Sequence, residues 1–152
     1  MIDGKTVVCG LIGDPVEHTL SPVIHNTLAQ ETGRNLVYVP FSVKAEQVED
    51  AVRGAWALSI RGLNVTVPHK SAVIPYLSSV EREAALIGAV NTLVPEEGGY
   101  RGYNTDLTGL GRALASDGVK LSGERVILLG AGGAARAAAF LCALRGAQEV
   151  WL

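Results

Sequence analysis

The sequence contains few cysteines and few aromatic residues, and its charge has no dominant sign. It has two cysteines, 5% aromatic residues and a formal net charge of −2 at pH 7. Because binding to a nucleic-acid backbone requires clustered Lys and Arg, the interspersed charges argue against a nucleic-acid partner. Cys9 and Cys142 lie far apart in apolar runs and form no CxxC pair, so we expect buried free thiols and a reducing, cytoplasmic compartment.

Long hydrophobic runs are also absent. No window approaches roughly 18 uninterrupted apolar residues, the length that predicts a membrane span. Residues 1–4 show no basic segment that leads into an apolar stretch, as a secretory signal would. We therefore expect a soluble protein with no membrane partner. Its 48% hydrophobic residues are sufficient to bury a core.

Strand and helix patterns alternate along the chain. This alternation favours an α/β fold with a mostly parallel sheet flanked by helices. Strands are predicted at 6–12, 36–43 and 60–67, and helices at 21–32 and 46–58. This order predicts a parallel βαβαβ core. One or two short helices are expected between residues 69 and 87, followed by a hairpin with arms at 90–95 and 100–103, because two acidic residues and two glycines separate those arms.

The last third of the chain reads as the opening of a second domain. A helix is predicted from residues 104–106 to about Gly118, and a strand at 125–129 follows a polar connection. We place the domain boundary near Asp106, giving one domain at 1–106 and, at 107–152, a connecting helix with the first βαβ unit of the next domain.

A glycine-rich turn joins that strand to an alanine-rich helix. Gly130-x-Gly132-x-x-Ala135 fits the G-x-G-x-x-G/A fingerprint of dinucleotide-binding folds in the strand–turn–helix context that it requires. The first glycine permits the tight turn, the second allows the backbone to approach a pyrophosphate, and the helix N-terminus presents unpaired N–H groups. The alternative is a glycine-rich turn of any α/β protein. These residues alone do not distinguish NAD from NADP.

Polar residues follow several of the predicted strands in the first domain. Because ligands bind at the carboxyl ends of parallel strands, these segments are expected to share a crevice. Lys70 and Asp106 form an opposite-charge pair that can orient an alcohol and relay its proton during hydride transfer. Thr66 and Asn91 can bond hydroxyls. Taken singly, Lys70 could be a solvated lysine, Asn91 a turn residue and Asp106 a helix cap.

Two hydroxyl residues stand at the start of the first predicted helix. Thr19 and Ser21 offer donors beside a helix N-terminus, a combination suited to holding a substrate carboxylate. Ser21 before Pro22 could equally be an ordinary N-cap. His18, His25 and His69 lack metal-ligand spacing and a paired nucleophile, so we assign no metal site and no catalytic histidine.

Five segments in this order resemble the signature blocks of the shikimate dehydrogenase family. They are HTLSP at 18–22, NVTVPHK at 64–70, GAVNT at 88–92, GYNTD at 102–106 and GAGGAAR at 130–136. The resemblance implies a substrate-binding α/β domain followed by a Rossmann-type NADP domain, with the active site between them. It covers only the N-terminal part of the family's usual length. Thr19 replaces a serine that is common in the family, and His69 an aromatic residue.

The resemblance also implies a reaction and a role for each candidate residue. Family members reduce 3-dehydroshikimate to shikimate, reversibly, in aromatic amino-acid biosynthesis. By resemblance, Lys70 and Asp106 are the catalytic pair, with Lys70 the favoured acid/base. The remaining assignments are carboxylate binding by Thr19 and Ser21, ring-hydroxyl binding by Thr66 and Asn91, and contact with the NADP pyrophosphate by Gly130, Ala131, Gly132, Gly133 and Ala134.

Several alternatives remain open at this point. One is an NAD-linked dehydrogenase that accepts quinate or shikimate, and another is a non-catalytic domain that binds shikimate for regulation. The 152-residue chain by itself is expected to bind substrate without turnover. Apolar residues at 126–129 and 149–152 would leave sheet edges uncovered, so we also expect a homodimer through that face or a poorly ordered tail.

Overall fold

The computed structural model describes residues 2–152, in which eight strands and five α-helices alternate. The strands are β1 (Val7–Gly13), β2 (Leu36–Ser42), β3 (Gly62–Val65), β4 (Ser79–Val80), β5 (Thr92–Glu96), β6 (Gly99–Tyr103), β7 (Arg125–Ile127) and β8 (Glu149–Trp151). The helices are α1 (Ser21–Glu31), α2 (Val48–Ala57), α3 (Arg82–Ile87), α4 (Asp106–Ser116) and α5 (Gly133–Leu144). Short 3₁₀ turns occupy Ala45–Gln47 and Ile74–Tyr76.

Six strands form one sheet in the order β2-β1-β3-β5-β6-β4. The pairs β1–β2, β1–β3 and β4–β6 are parallel, whereas β5 is antiparallel to both β3 and β6. All strands of this sheet except β5 therefore run in one direction. The predicted α/β class, the parallel βαβαβ core and the hairpin are confirmed. A second, parallel pair, β7–β8, is joined by α5 and has Arg125 opposite Glu149.

Helices cover both faces of the larger sheet. Because successive residues of a strand point to opposite faces, Leu11 and Ile12 of β1 enter different cores. Ile12 packs in the larger cluster, which includes Val52 of α2. Leu11 packs with Val16 and Tyr38 on the other face.

A third apolar cluster joins the two halves of the chain. It comprises Ile87, Ala89, Leu107, Ala137 and Leu141, so α5 packs against α3 and α4. This contact places the start of α5 near the edge of the larger sheet. No helix among residues 2–152 combines the length and apolar character required to cross a bilayer.

Several predicted boundaries differ from the structure. Strand β3 is shorter than predicted because Ile60 still belongs to the C-terminal turn of α2, where its N–H donates to the carbonyl of Ala55. The two-residue strand β4 lies where only a helix break was expected, since two residues show no periodicity. Both cysteines are free, but Cys9 is half-buried whereas Cys142 is buried as expected.

Candidate active site

The polar segments converge because of the direction of each strand. The parallel strands β1, β3 and β6 end at the same edge of the sheet. Antiparallel β5 begins at that edge, so Asn91, immediately before β5, lies beside the residues that follow β3 and β6. The antiparallel strand thus adds its N-terminal end to a crevice otherwise built from carboxyl ends.

Lys70 and Asp106 are in direct contact. The Nζ atom of Lys70 lies 2.6 Å from Oδ2 of Asp106, although the two residues are 36 positions apart. Their side chains are 17% and 31% exposed, so water reaches both groups. The backbone of Lys70 is also fixed, because its carbonyl accepts the N–H of Val90.

Asn91 holds the second oxygen of the Asp106 carboxylate. Its Nδ2 donates to Oδ1 of Asp106 at 2.8 Å. The carbonyl oxygen of the same side chain accepts from the Thr92 hydroxyl at 2.9 Å and from the N–H and hydroxyl of Thr105 at 2.9 and 3.1 Å. Three donors on the oxygen fix the orientation of the amide, so its NH₂ group must face the carboxylate.

The side chain of Asn104, which precedes the N-cap residue Thr105, holds the first turn of the helix that carries Asp106. Its side-chain oxygen accepts the N–H groups of Asp106 and Leu107 at 3.0 and 3.3 Å, and its Nδ2 donates to the carbonyl of Ala89. The alternative in which Asp106 is merely a helix cap is therefore wrong. Sequence analysis assigned no role to Asn104, although the residue lies within one of the signature blocks.

Thr19 and Ser21 place two hydroxyls together at the start of α1. Their side-chain oxygens are 3.2 Å apart, and Thr19 Oγ1 also accepts the N–H of Ser21 at 3.3 Å. Leu20 is the N-cap, and no side chain caps the helix. The alternative of Ser21 as N-cap is therefore also wrong, since Ser21 is the first helical residue.

Thr66 lies against the end of β1 rather than within the Lys70 cluster. A Cβ placed on Gly13 would be within 2.4 Å of the Thr66 methyl group, so only glycine fits there. The N–H of Thr66 continues the pairing with β1 by donating to the carbonyl of Ile12. Thr66 thus lies next to the loop that leads to Thr19.

Two residues that sequence analysis missed, Tyr38 and Asn64, connect β2 to the start of β5. The Tyr38 hydroxyl donates to Oδ1 of Asn64 at 2.7 Å, and Nδ2 of Asn64 donates to the backbone carbonyl of Asn91 at 3.4 Å and to the Thr92 hydroxyl at 3.5 Å. Burial raises the pKa of Tyr38 to about 12. Asn64 lies in a signature block, whereas nothing local in the sequence marks Tyr38.

Two of the three histidines, His69 and His25, make contacts that stabilise the fold. His69 is buried, and its Nε2 lies 2.6 Å from the carbonyl of Val43. His25 stacks on Tyr38 with ring centroids 4.2 Å apart. Among residues 2–152, no group of three or more His, Cys, Asp or Glu side chains is placed to hold a metal ion.

The glycine turn lies directly beside Lys70. Gly130 has φ +126°, a conformation that favours glycine, and Gly132 is the N-cap of α5 without a side-chain cap. The first N–H groups of α5 are therefore available to an anion, and segment 130–134 fits a pyrophosphate. A Cβ on Gly133 would lie 3.2 Å from Cδ of Lys70, so the lysine side chain lies beside the first residue of α5 and leaves little room for a larger residue there.

Comparison with known families agrees with this arrangement. Residues 11–93 match the family model described as the shikimate dehydrogenase substrate binding domain. The chain belongs to the shikimate dehydrogenase family. It is similar to the NADP(+) shikimate dehydrogenase of Methanothermobacter thermautotrophicus, with 50% identity over 150 residues that cover 99% of this chain and 53% of that protein.

Solved structures in this family have the same fold. A shikimate dehydrogenase in complex with NADP+ matches with a TM-score of 0.90 and 46% identity, covering 96% of this chain and 51% of its own. The shikimate 5-dehydrogenase of Listeria monocytogenes in complex with shikimate and NAD matches with a TM-score of 0.88 and 40% identity, covering 98% and 52%. The present chain thus spans about half the length of the relatives that it matches.

Proposed function

We propose that the protein carrying this chain is an NADP-dependent shikimate dehydrogenase that interconverts 3-dehydroshikimate and shikimate in aromatic amino-acid biosynthesis. The observation that carries the proposal is the contact between Lys70 and Asp106, 2.6 Å apart, next to the first residue of α5. A pure binding domain requires neither a proton-transferring pair nor a glycine turn against it. The names of the relatives support NADP as cofactor.

Substrate binding and cofactor binding would be assigned to different parts of the chain, one for each sheet. Residues 1–106 would form the substrate domain, and residues 107–152 would supply the connecting helix and the opening of the cofactor domain. The substrate would lie at the edge where β1, β3 and β6 end, since every candidate side chain of the first domain lies at that edge. The cofactor would approach from the side of α5.

Substrate binding would use two sets of neutral polar groups. The hydroxyls of Thr19 and Ser21, 3.2 Å apart at the start of α1, would donate to the shikimate carboxylate. The helix N-terminus adds favourable partial charge for an anion. Thr66 and Asn91 would bond the ring hydroxyls, with the oriented amide of Asn91 also holding Asp106 in place.

Proton transfer would be the task of Lys70. In the reducing direction its ammonium donates a proton to the carbonyl oxygen as hydride reaches the carbon, which leaves a neutral lysine that solvent reprotonates. In the reverse direction a neutral Lys70 accepts the hydroxyl proton. Asp106 accepts hydrogen bonds from Lys70 and Asn91, one on each oxygen, and so fixes the position of Nζ.

The glycine turn would hold the cofactor. Backbone N–H groups of segment 130–134, formed by Gly130, Ala131, Gly132, Gly133 and Ala134, would face the pyrophosphate. NADP, when bound, supplies the hydride for reduction and accepts it in the reverse direction. Lys70 would then lie within reach of the reacting oxygen, because its side chain lies beside the first residue of α5.

The test measures two quantities. Full-length protein is assayed with shikimate and NADP+, and shikimate binding to the 152-residue chain is measured by calorimetry. We expect turnover by the full-length protein, and binding without turnover by the chain. Absence of turnover by a folded full-length protein that still binds shikimate would contradict the proposal and favour a regulatory binding domain.

A second candidate is an NAD-linked quinate or shikimate dehydrogenase. The observation that favours it is the Listeria monocytogenes relative, whose structure contains shikimate and NAD. The residue that normally selects the cofactor lies about twenty positions after the glycine turn. Ratios of kcat/KM for shikimate and quinate, each with NADP+ and NAD+, separate the two candidates.

We also propose that the 152-residue chain forms a homodimer and that the protein is cytoplasmic. The residues Ile127, Leu129, Trp151 and Leu152 expose a large apolar surface on the smaller sheet, which a second copy would cover. Free thiols at Cys9 and Cys142 suit a reducing compartment. Light scattering that shows a monomer at every concentration would contradict the dimer.

A further inference from the structure

Arg136 bridges the two halves of the chain. It lies in the first turn of α5, where its Nη1 donates to the carbonyl of Gly88 at 3.1 Å and its Nη2 to the hydroxyl of Ser71 at 2.7 Å. The Ser71 hydroxyl itself donates to the Gly88 carbonyl at 2.9 Å. Three groups from separate parts of the sequence therefore form one closed hydrogen-bond network.

We infer that Arg136 is a positioning residue that holds the glycine turn at a fixed distance from Lys70, acting through Ser71 and the Gly88 carbonyl. The inference rests on the proposed function, because it concerns how the cofactor side of that site meets the catalytic side. Arg136 touches none of the proposed reacting groups. Its effect is transmitted through the backbone.

Both anchor points adjoin the catalytic cluster. Ser71 directly follows Lys70. Gly88 ends α3 in the left-handed conformation, with φ +67°, and begins the short segment that leads to Asn91. That segment is tied back to Lys70, because Val90 donates to the Lys70 carbonyl at 2.7 Å. A displacement of α5 would therefore shift both Lys70, through Ser71, and Asn91, through the segment that begins at Gly88.

Two features of the bridge require arginine. Its partners are a neutral carbonyl and a hydroxyl, and within residues 2–152 no ion pair includes Arg136. The contact thus depends on the direction of two N–H donors rather than on charge neutralisation. The planar guanidinium supplies two donors at fixed angles, whereas a lysine ammonium acts as a single point charge.

The close packing of Gly133 explains why a small displacement matters. A Cβ at Gly133 would lie 3.2 Å from Lys70 Cδ and 3.3 Å from Ala89 Cβ, so the first turn of α5 abuts the lysine stem. A misplacement of about 1 Å in a catalytic arrangement can lower the rate by about 100-fold. Because the bridge is exposed, it contributes little to global stability. Its loss should appear in kcat rather than in unfolding.

The first test uses the full-length protein with shikimate and NADP+. Arg136→Lys is expected to lower kcat by about 10- to 100-fold, with the KM for shikimate changed by less than about twofold. Ser71→Ala should lower kcat in the same way, and Ser71→Thr, which keeps the hydroxyl, should restore most of it. The double variant should lose little more than the worse single variant, because both substitutions break one network.

Arg145→Lys is the matched control, since Arg145 lies at the opposite end of α5. We expect it to keep the original kcat. Melting temperatures of all variants should agree within about 2–4 °C. The inference is overturned if Arg136→Lys matches Arg145→Lys in kcat, if the loss lies wholly in the KM for shikimate, or if the two single losses multiply in the double variant.

The second test does not require turnover. Amide hydrogen exchange is measured over residues 136–139 in the 152-residue chain, because these are the first N–H groups of α5 with helical acceptors. Arg136→Lys should accelerate exchange there by about fivefold or more, while Arg145→Lys leaves it unchanged. If the exchange rate is unchanged in Arg136→Lys, the positioning role of Arg136 is wrong. This result holds even if the original protein has no dehydrogenase activity. Faster exchange in a protein without turnover would instead contradict the proposed function alone.

Discussion

The Asn91 amide donates to one oxygen of Asp106 at 2.8 Å, while the Lys70 ammonium lies 2.6 Å from the other oxygen. Both sides of the carboxylate are therefore occupied before any substrate arrives. Because Asn91 is itself held by Thr92 and Thr105, Asp106 has one available orientation. Asn91, just before β5, thus fixes the carboxylate of Asp106, and Asp106 fixes the ammonium of Lys70.

Asn91→Ala should disturb this arrangement in two ways. It releases one oxygen of Asp106, and it leaves the N–H of Thr105 without its acceptor. We expect kcat of the full-length protein to fall by about 10- to 100-fold, and the free energy of unfolding to fall by about 1–3 kcal/mol. Steady-state kinetics and urea unfolding measure the two effects. Asn35→Ala, at an exposed asparagine, is the control, and equal kinetics in both variants would contradict the account.

Removing the hydroxyls at the start of α1 should weaken binding of the substrate carboxylate. Thr19→Val and Ser21→Ala are each expected to raise the Kd for shikimate by about 10-fold or more, since each removes a hydrogen bond to a charged group. Calorimetry with the 152-residue chain measures the change. The methyl ester of shikimate lacks the carboxylate charge, so its Kd should change much less. Equal losses for acid and ester would place the carboxylate elsewhere.

Asp14 should make stability depend on acid pH. The hydrogen bond from Lys44, 2.9 Å from Oδ2, is the main reason that the pKa of Asp14 lies below its usual value of 3.8. A lowered folded-state pKa stabilises the fold above pH 3.8, and this contribution is lost as pH falls through the folded-state value. The melting-temperature difference between the original chain and Asp14→Asn should therefore shrink in acid.

Melting curves recorded between about pH 2 and pH 7 measure that difference. Asp117→Asn, which removes one carboxylate just after α4, is the charge-matched control. A difference for Asp14→Asn that is constant across the range, or that grows in acid, would be inconsistent with the ion pair to Lys44.

Gly133→Ala should impair catalysis more than stability. The added Cβ would lie 3.2 Å from Lys70 Cδ and 3.3 Å from Ala89 Cβ, so the lysine stem must shift slightly, which disturbs the placement of Nζ beside Asp106. We expect kcat to fall by about 10- to 100-fold. Gly109→Ala, in α4, is the matched control, because its Cβ would meet nothing within 4 Å. It should raise stability by up to about 1 kcal/mol without lowering kcat. Full activity in a folded Gly133→Ala variant would refute the contact.

The sequence predicted most of the fold because its patterns are local. The alternation of apolar strands with helices, and the glycines between the hairpin arms, are visible in short windows. Strand β4 escaped prediction because two residues carry no periodicity and its pairing with β6 is distant in sequence. The start of β3 was misplaced because Ile60 is buried in the C-terminal turn of α2.

The sequence motifs identified the candidate site residues, but not the neighbouring residues that hold them in place. Lys70, Asp106 and Asn91 lie in motifs, so they could be named in advance. The path through Tyr38 and Asn64 depends on contacts between strands that no local pattern encodes, whereas the bonds from Asn104 to the N–H groups of Asp106 and Leu107 are local and were overlooked. Because Asn104 accepts the first N–H groups of α4, the side chain of Asp106 is not needed as a helix cap and can bind Lys70.

In the proposed mechanism, Lys70 transfers the proton and does not merely bind the ring. Lys70→Met keeps the stem that packs against Gly133 and removes only the ammonium. Turnover of shikimate and its Kd are measured on the full-length protein, with Lys120→Met, at an exposed lysine, as the control. The account predicts a fall in kcat of about 100- to 10,000-fold, with Kd changed by less than about threefold. Turnover near that of the control variant, in a folded Lys70→Met protein, would contradict it.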